Sequence, residues 1–123
     1  AVQIHKGLRD KLELGNLDSS RDWGHSKDYV RGMHMILNND EPKDYIIATG
    51  DTRTVRDFCR YTFDKLGKNY QDYVTQNPKF MRPEELKFLK GDSTPIREEL
   101  GWEPEYTFDS MLDEMIEFWM NNV

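Results

Sequence analysis

The stretch DYIIATGDTRTVRDFCRYTFDKLG, residues 44–67, decides the fold class. Its first seven residues, Asp44 to Gly50, form the dense apolar run of a buried strand. Val55, Phe58, Cys59, Thr62, Phe63 and Leu66 then recur at helical spacing. Thr54, with Asp57 three residues on, resembles a capping box in which Asp replaces the usual Glu or Gln. Gly67 suits the position just past a helix end. A strand feeding directly into a helix is the unit of an α/β protein.

The flanks extend the same alternation. Leu12, Leu14 and Leu17 alternate as a short strand ending near Gly15–Asn16. A helix is predicted from Ser26 to Asn38, with Ser26 as N-cap and Tyr29, Val30, Met33, Ile36 and Leu37 on one face. Residues 38–42, NNDEP, close it. A short strand over Tyr70–Thr75 leads into a proline-punctuated loop. Thr94–Pro95 reads as an N-cap followed by proline at the first helical position, and Gly101–Trp102 with Pro104 as a turn. Thr107 caps the last helix, whose apolar stripe is Phe108, Met111, Leu112, Met115, Ile116 and Trp119. Three strands make a thin sheet. The opening AVQIHKGLRDKLEL lacks a capping residue, and Val2, Ile4 and Leu8 read as later turns of a helix already under way. A piece of a longer chain is the expectation.

Bulk properties exclude several classes. The chain has 123 residues, enough for one domain. Aromatic residues make up 12%, too many for a disordered tail. A net charge of −6 opposes non-specific grip on nucleic acid or an anionic membrane, which needs a basic face. The single cysteine, Cys59, allows no intrachain disulfide and no Cys-based zinc site. No apolar run approaches the roughly 18 residues of a membrane span, and no signal-peptide pattern opens the chain. A reduced, cytoplasmic setting is expected.

The chemistry concentrates in LDSSRDWGHSKDYVRG, residues 17–32, where Arg21, Asp22, Trp23 and His25 meet a helix entrance. Such a cluster suits a capping turn, a metal or catalytic group, or an anion cradle. No GxGxxG, GxxxxGK[ST] or HExxH occurs, so the usual phosphate-cradling loops and the commonest zinc helix are missing from these residues. His5, His25 and His34 share no ligand spacing, and no metal is expected. Tyr61 and Lys65 stand four apart, as in sites where a lysine lowers a tyrosine pKa for acid/base work. No dinucleotide fingerprint precedes them, and i,i+4 pairs abound on helix surfaces. They read as a surface pair.

The arginines are more informative. Arg21 precedes one helix, Arg56 lies in the first turn of another, and Arg82 sits in a proline-flanked loop. Loops at element ends gather to form ligand sites, and guanidinium groups pair bidentately with phosphate. Free N–H groups at the helix N-termini would add to such a cradle. The alternative is three surface arginines in ordinary salt bridges, Arg56 with Asp57 or Asp51 for example. Spacing leaves both open.

Four blocks carry a resemblance: LGNLDSSRDWGHSKDYVRGMHMIL, DYIIATGDTRTVRDF, RPEELKFLKGD and ELGWEPEYTF. In this order and spacing they resemble the GDP-mannose 4,6-dehydratases, which are extended short-chain dehydrogenases/reductases. RDW with KDYV marks only the wider sugar-nucleotide group; LGN and RDWGH with IATG, TVR and RPEE mark the GDP-mannose members. The resemblance implies that residues 1–123 form a single C-terminal sugar-nucleotide-binding region with α/β structure. The Rossmann domain, its NADP-binding glycines, the catalytic Thr and Glu, and the Tyr-x-x-x-Lys pair would all lie outside the chain. Tyr61 and Lys65 match no catalytic position.

By motif, Asn16 would contact the nucleotide end of GDP-mannose, Arg21 the diphosphate, and Arg56 the phosphate or ribose. Arg82 would face the same ligand, and Glu85 would accept from the two-donor edge of guanine. Asp22 and Trp23 would shape the turn, and His25 carries no assigned role. The implied reaction converts GDP-mannose to GDP-4-keto-6-deoxymannose, a precursor of fucose-type sugars, in an NADP-dependent homo-oligomer. This chain alone is then expected to be inactive. Two departures stand out: the 67–83 segment is shorter than usual, which bears on the pocket wall, and STPIREELGW replaces a more basic stretch. A stand-alone GDP-sugar-binding module and an interaction domain with self-paired arginines are the rival readings.

Overall fold

Two short strand pairs, rather than one three-stranded sheet, frame the chain in the computed structural model, which describes residues 1–123. In chain order the elements are α1 (Val2–His5), β1 (Leu12–Leu14), β2 (Ser20–Asp22), α2 (Ser26–Leu37), β3 (Thr52–Thr54) and α3 (Val55–Lys65). Then follow β4 (Val74–Gln76), α4 (Thr94–Leu100) and α5 (Phe108–Asn122). β1 pairs with β4 in parallel, Leu12 opposite Val74. β2 pairs with β3 antiparallel, Arg21 opposite Arg53. Neither β2 (SRD) nor β3 (TRT) carries an apolar alternation, which is why sequence periodicity passes over both. No helix is long and apolar enough to cross a membrane.

Helix α3 follows its sequence signals closely. The Thr54 hydroxyl accepts from the Asp57 N–H at 3.0 Å, and the Asp57 carboxylate accepts from the Thr54 N–H at 3.0 Å. At the other end Gly67 takes φ +70°, while Lys68 and Gly67 donate back to the carbonyls of Phe63 and Asp64. The inner face of α3 supplies Cys59 and Phe63 to a core with Ile4, Leu17, Tyr70 and Val74. A second cluster joins Phe108, Met111 and Leu112 of α5 to Trp23, Phe58 and Tyr61.

The Asp44–Gly50 run forms no ladder: Ala48 is buried but Ile46 is 58% exposed. Its backbone is held instead by side chains described below. The Tyr70–Thr75 segment divides, because Asn69 caps a 3-10 turn over Tyr70–Asp72 and pairing begins only at Val74. The cap of α2 is His25, not Ser26, since the imidazole Nδ1 reaches the Lys27 N–H at 3.0 Å. At α4, Thr94 is already helical, and Asp92 Oδ1 accepts from both its N–H and its hydroxyl.

The apolar stripes are only partly used. On α5, Phe108, Met111 and Leu112 are buried while Met115 and Trp119 lie open. On α2 the expected face is turned outward, with Val30, Met33 and Leu37 exposed. The face that packs is Asp28 and Gly32. A side chain at Gly32 would press on Trp102 and Ile47, so the glycine lets the Trp102 ring lie against α2. The Trp102 indole N–H donates to the Asp28 carbonyl at 2.9 Å. The buried Asp28 carboxylate accepts from the N–H groups of Glu105 and Tyr106, at 2.9 and 3.1 Å.

Asp28 is therefore a staple between α2 and the turn before α5. Asp28→Ala leaves two backbone donors without their acceptor and is expected to cost about 3 kcal/mol in urea denaturation, with Asp28→Asn costing less. Asp57 gives a pH dependence. Hydrogen bonds from Thr54 hold its carboxyl below the ordinary aspartate range. Its contribution is thus complete above the unfolded pKa and is lost as pH falls through the lower folded value. Acid titration of stability is expected to be flatter for Asp57→Asn than for the wild type below about pH 4.

Candidate functional site

The segment from Asn16 to Asp22 organises the candidate residues. Asn16 Oδ1 accepts from the Asp18 N–H at 2.9 Å, a local turn. The Leu17 and Ser19 carbonyls accept from the Arg56 and Val55 N–H groups, at 2.8 and 3.3 Å. With the Asp57 N–H on Thr54, the first-turn donors of α3 are all taken by protein acceptors. At α2 the Lys27, Asp28 and Tyr29 N–H groups go to His25. The expected free N–H groups for a phosphate are accordingly not available at these positions, and only the side chains can supply an anion site.

Arg56 donates from Nε to Asp18 Oδ1 at 3.0 Å and from Nη1 to the Tyr70 hydroxyl at 3.3 Å. Asp18, not Asp57 or Asp51, is its carboxylate partner. The contact with Asp18 raises the Arg56 pKa further, and Arg56 in turn holds the Tyr70 phenol below the ordinary tyrosine range. Asn16 and Arg56 thus meet through Asp18.

Arg21 is fixed differently. Its Nη1 donates to two carbonyls, Ser20 at 2.8 Å and Leu86 at 2.7 Å. Its Nη2 lies 3.6 Å from Glu85 Oε1, in a partly buried ion pair. Residues 87–89 run beside β2, with the Ser20 N–H on the Lys87 carbonyl and the Leu89 N–H on the Ser20 carbonyl. Arg21 and Glu85, 64 residues apart in sequence, are thereby brought together. Arg82 is exposed in the same loop and makes no hydrogen bond or ion pair. None of these five residues lines the apolar groove between α1, α3 and α5.

Asp22 braces this arrangement. One carboxylate oxygen accepts from the Thr49 N–H at 2.8 Å and the Thr49 hydroxyl at 2.6 Å. The other accepts from the Gly50 N–H at 2.8 Å and the Gly91 N–H at 3.4 Å. Trp23 turns inward, donating from its indole to the Arg53 carbonyl at 2.9 Å and packing 5.0 Å from the Phe58 ring. A side chain at Gly24 would collide with Tyr29.

His25 accepts at Nδ1, so its proton sits on Nε2 and donates to Glu114 at 3.2 Å while the ring stacks on Tyr106 at 3.9 Å. Lys27 pairs with the same Glu114 and is the main cause of its lowered pKa. The sequence flagged His25 by position but gave no sign of these partners. Thr49 and Leu86 went unmarked because they act through backbone groups and one hydroxyl.

Tyr61 and Lys65 form no acid/base pair. The Tyr61 hydroxyl donates to Asp113 at 2.8 Å, Lys65 also pairs with Asp113, and burial pushes the phenol pKa up. A catalytic tyrosine needs the opposite shift. No group of three His, Cys, Asp or Glu side chains could hold a metal ion. Nor do these residues fit a dinucleotide: no glycine-rich turn opens a helix, and the first-turn donors of α3 are already occupied.

The fold is shared with a large class. It superposes on RMD from Pseudomonas aeruginosa complexed with NADPH with a TM-score of 0.87 at 23% identity, covering 99% of this chain and 40% of that one. A dTDP-glucose 4,6-dehydratase from Bacillus anthracis in complex with NAD gives a TM-score of 0.83 at 22% identity, covering 98% and 37%. The architecture is that of part of the extended short-chain dehydrogenase/reductase fold.

Sequence narrows this further. A family model described as GDP-mannose 4,6 dehydratase matches residues 1–115. The chain is 39% identical over 132 residues to GDP-mannose 4,6 dehydratase of Homo sapiens, covering 94% of this chain and 36% of that protein. It is 41% identical over 115 residues to GDP-mannose 4,6 dehydratase 2 of Arabidopsis thaliana, covering 94% and 31%. The chain belongs to the GDP-mannose 4,6 dehydratase family, and it spans about a third of the length of these relatives.

Asp22→Ala tests the brace. Hydrogen exchange is expected to show lost protection at the Thr49 and Gly50 amides, with protection in α5 unchanged.

Proposed function

We propose that these 123 residues form the sugar-nucleotide-binding part of an NADP-dependent GDP-mannose 4,6-dehydratase. The family match over residues 1–115 carries the reading. In the proposed reaction C4 of the mannose is oxidised, water is eliminated across C5–C6, and the hydride returns to C6. The product is GDP-4-keto-6-deoxymannose. NADP and the acid/base groups belong, in this reading, to residues outside the chain, and the chain alone carries no turnover. The intact enzyme is a cytoplasmic homo-oligomer serving fucose-type nucleotide-sugar synthesis.

What this chain contributes is binding and orientation. Arg21, its Nη1 fixed by two carbonyls, presents Nη2 to the diphosphate. Arg56, steadied by Asp18 and Tyr70, and Asn16 beside it meet the nucleotide end. Arg82 has no protein partner to give up. Glu85 accepts from the ring N–H and exocyclic amine of guanine, an edge that uracil and thymine do not offer. Holding the nucleotide at two points fixes the sugar for chemistry performed elsewhere.

Calorimetric titration with GDP-mannose, GDP and UDP-glucose tests this. GDP-mannose and GDP are expected to bind more tightly than UDP-glucose, and Arg21→Ala to cost on the order of 1.5–3 kcal/mol of GDP affinity. Equal affinity for UDP-glucose overturns the guanine assignment, and unchanged GDP affinity in Arg21→Ala overturns the diphosphate clamp.

A further inference from the structure

Residues 44–48, DYIIA, have the side-chain pattern of a sheet strand without its ladder. Ile46 and Ala48 lie against Gly91, whereas Ile47, between them, lies against Gly32 of α2. This is the alternation of a strand, and both of its faces meet protein. Such two-sided cover belongs to a strand inside a helix-covered sheet, not to a surface loop. The backbone tells a different story. No N–H or C=O group from Asp44 to Ala48 bonds to protein, and the first held amide is that of Thr49, on Asp22. Ala48 is only 5% exposed, and backbone groups in buried segments are nearly always paired.

Helix α2 shows the matching deficit. It touches the segment through Gly32, yet its stripe of Val30, Met33 and Leu37 is 58%, 60% and 82% exposed. In an α/β layer a helix lays its apolar stripe across the sheet that holds its neighbouring strand. An open strand edge and an open stripe, side by side, are two halves of one such layer. A lone extended peptide would satisfy the edge and leave the stripe bare. A second copy offers no suitable sheet, because its ladders are three residues long and already paired. The chain covers 36% and 31% of two of its relatives, so most of each relative's length lies beyond the matched part.

We infer that residues 44–48 and the outer stripe of α2 form one docking surface, and that its occupant is a β-sheet supplied by polypeptide outside these 123 residues. A strand of that sheet pairs with an edge of the 44–48 segment, by the main-chain bonding of strand addition. Its neighbours cover Val30, Met33 and Leu37. The inference rests on the reading that these residues are part of a longer enzyme; it does not require nucleotide binding. Thr49 and Gly50, held by Asp22, then join the added sheet to the strand that carries Arg21.

Grafting these 123 residues in place of the matching third of GDP-mannose 4,6 dehydratase 2 of Arabidopsis thaliana supplies the remainder of such a chain. Hydrogen exchange of the graft is compared with that of the 123-residue chain, with circular dichroism to follow folding. The Tyr45–Ala48 amides are expected to exchange about 100-fold or more slowly in the graft. Leu37→Asp and Val30→Asp are expected to lower the thermal midpoint of the graft and leave that of the 123-residue chain unchanged, since both side chains are exposed there. A folded graft with unprotected 45–48 amides overturns the inference, and a graft that cannot fold does so too, because the docking surface is then not shared. Protection of these amides in the 123-residue chain, with a dimer in light scattering, makes a second copy the occupant and overturns it as well. Failure of GDP to bind would overturn the site proposed above while leaving these readouts unmoved.

Discussion

The Asp22 carboxylate is the interaction on which the rest of the site depends. β2 is only three residues long, and a strand of that length pairs too briefly to fix two neighbouring loops by ladder bonds alone. Asp22, at its end, gathers the backbone of Thr49, Gly50 and Gly91 around two oxygens. The extended 44–50 segment and the 85–91 loop are thereby docked against each other at the end of one strand, with Gly91 close to Ala48. Arg97 adds a second tie, donating to the Thr49 carbonyl at 2.9 Å. Arg21, one residue before Asp22, inherits its position from this knot, and Glu85 reaches it only because the loop is held.

A second charge arrangement keeps Arg21 facing the loop. Arg53 stands directly opposite it across the β2–β3 pair, where like charges repel. Arg53 turns away, pairing with Asp51 and lying over the Phe108 ring at 5.1 Å. Each guanidinium thus has its own set of partners. The two are drawn to different parts of the fold, one toward the candidate site and the other toward the α5 core.

Legibility in the sequence followed the range of the forces. Helix α3 was readable almost atom by atom, because Thr54, Asp57 and Gly67 act within a few residues of themselves. Helix α5 and its Thr107 cap were readable for the same reason. The apolar run Asp44–Gly50 signals burial but not hydrogen-bond partners, and its backbone is held at Thr49 and Gly50 by Asp22 and Arg97 rather than by a ladder. The apolar stripe of α2 suggests a packing face, yet Val30, Met33 and Leu37 are exposed and Asp28 makes the contact, through backbone donors 77 and 78 residues away. In the site, the motifs singled out Arg21 and Glu85 separately; that they touch follows from how the 85–91 loop lies along β2, which no local pattern encodes.

The pairing of β1 with β4 has a kinetic meaning. Leu12 and Val74 are 62 residues apart, and the ladder between them is parallel and three residues long. It gains little until the intervening chain has been ordered, so the loop-closure cost is met first. Helix α3 lies within that interval and carries strong local signals at both ends, which makes it the natural early structure. Folding in this order leaves the β1–β4 contact, and with it the sealing of Leu17, Tyr70 and Val74 into one core, to a late step. Arg56, 38 residues from its partner Asp18, is likewise a long-range contact, so the nucleotide end of the candidate site is completed late even though the Asn16 turn forms locally.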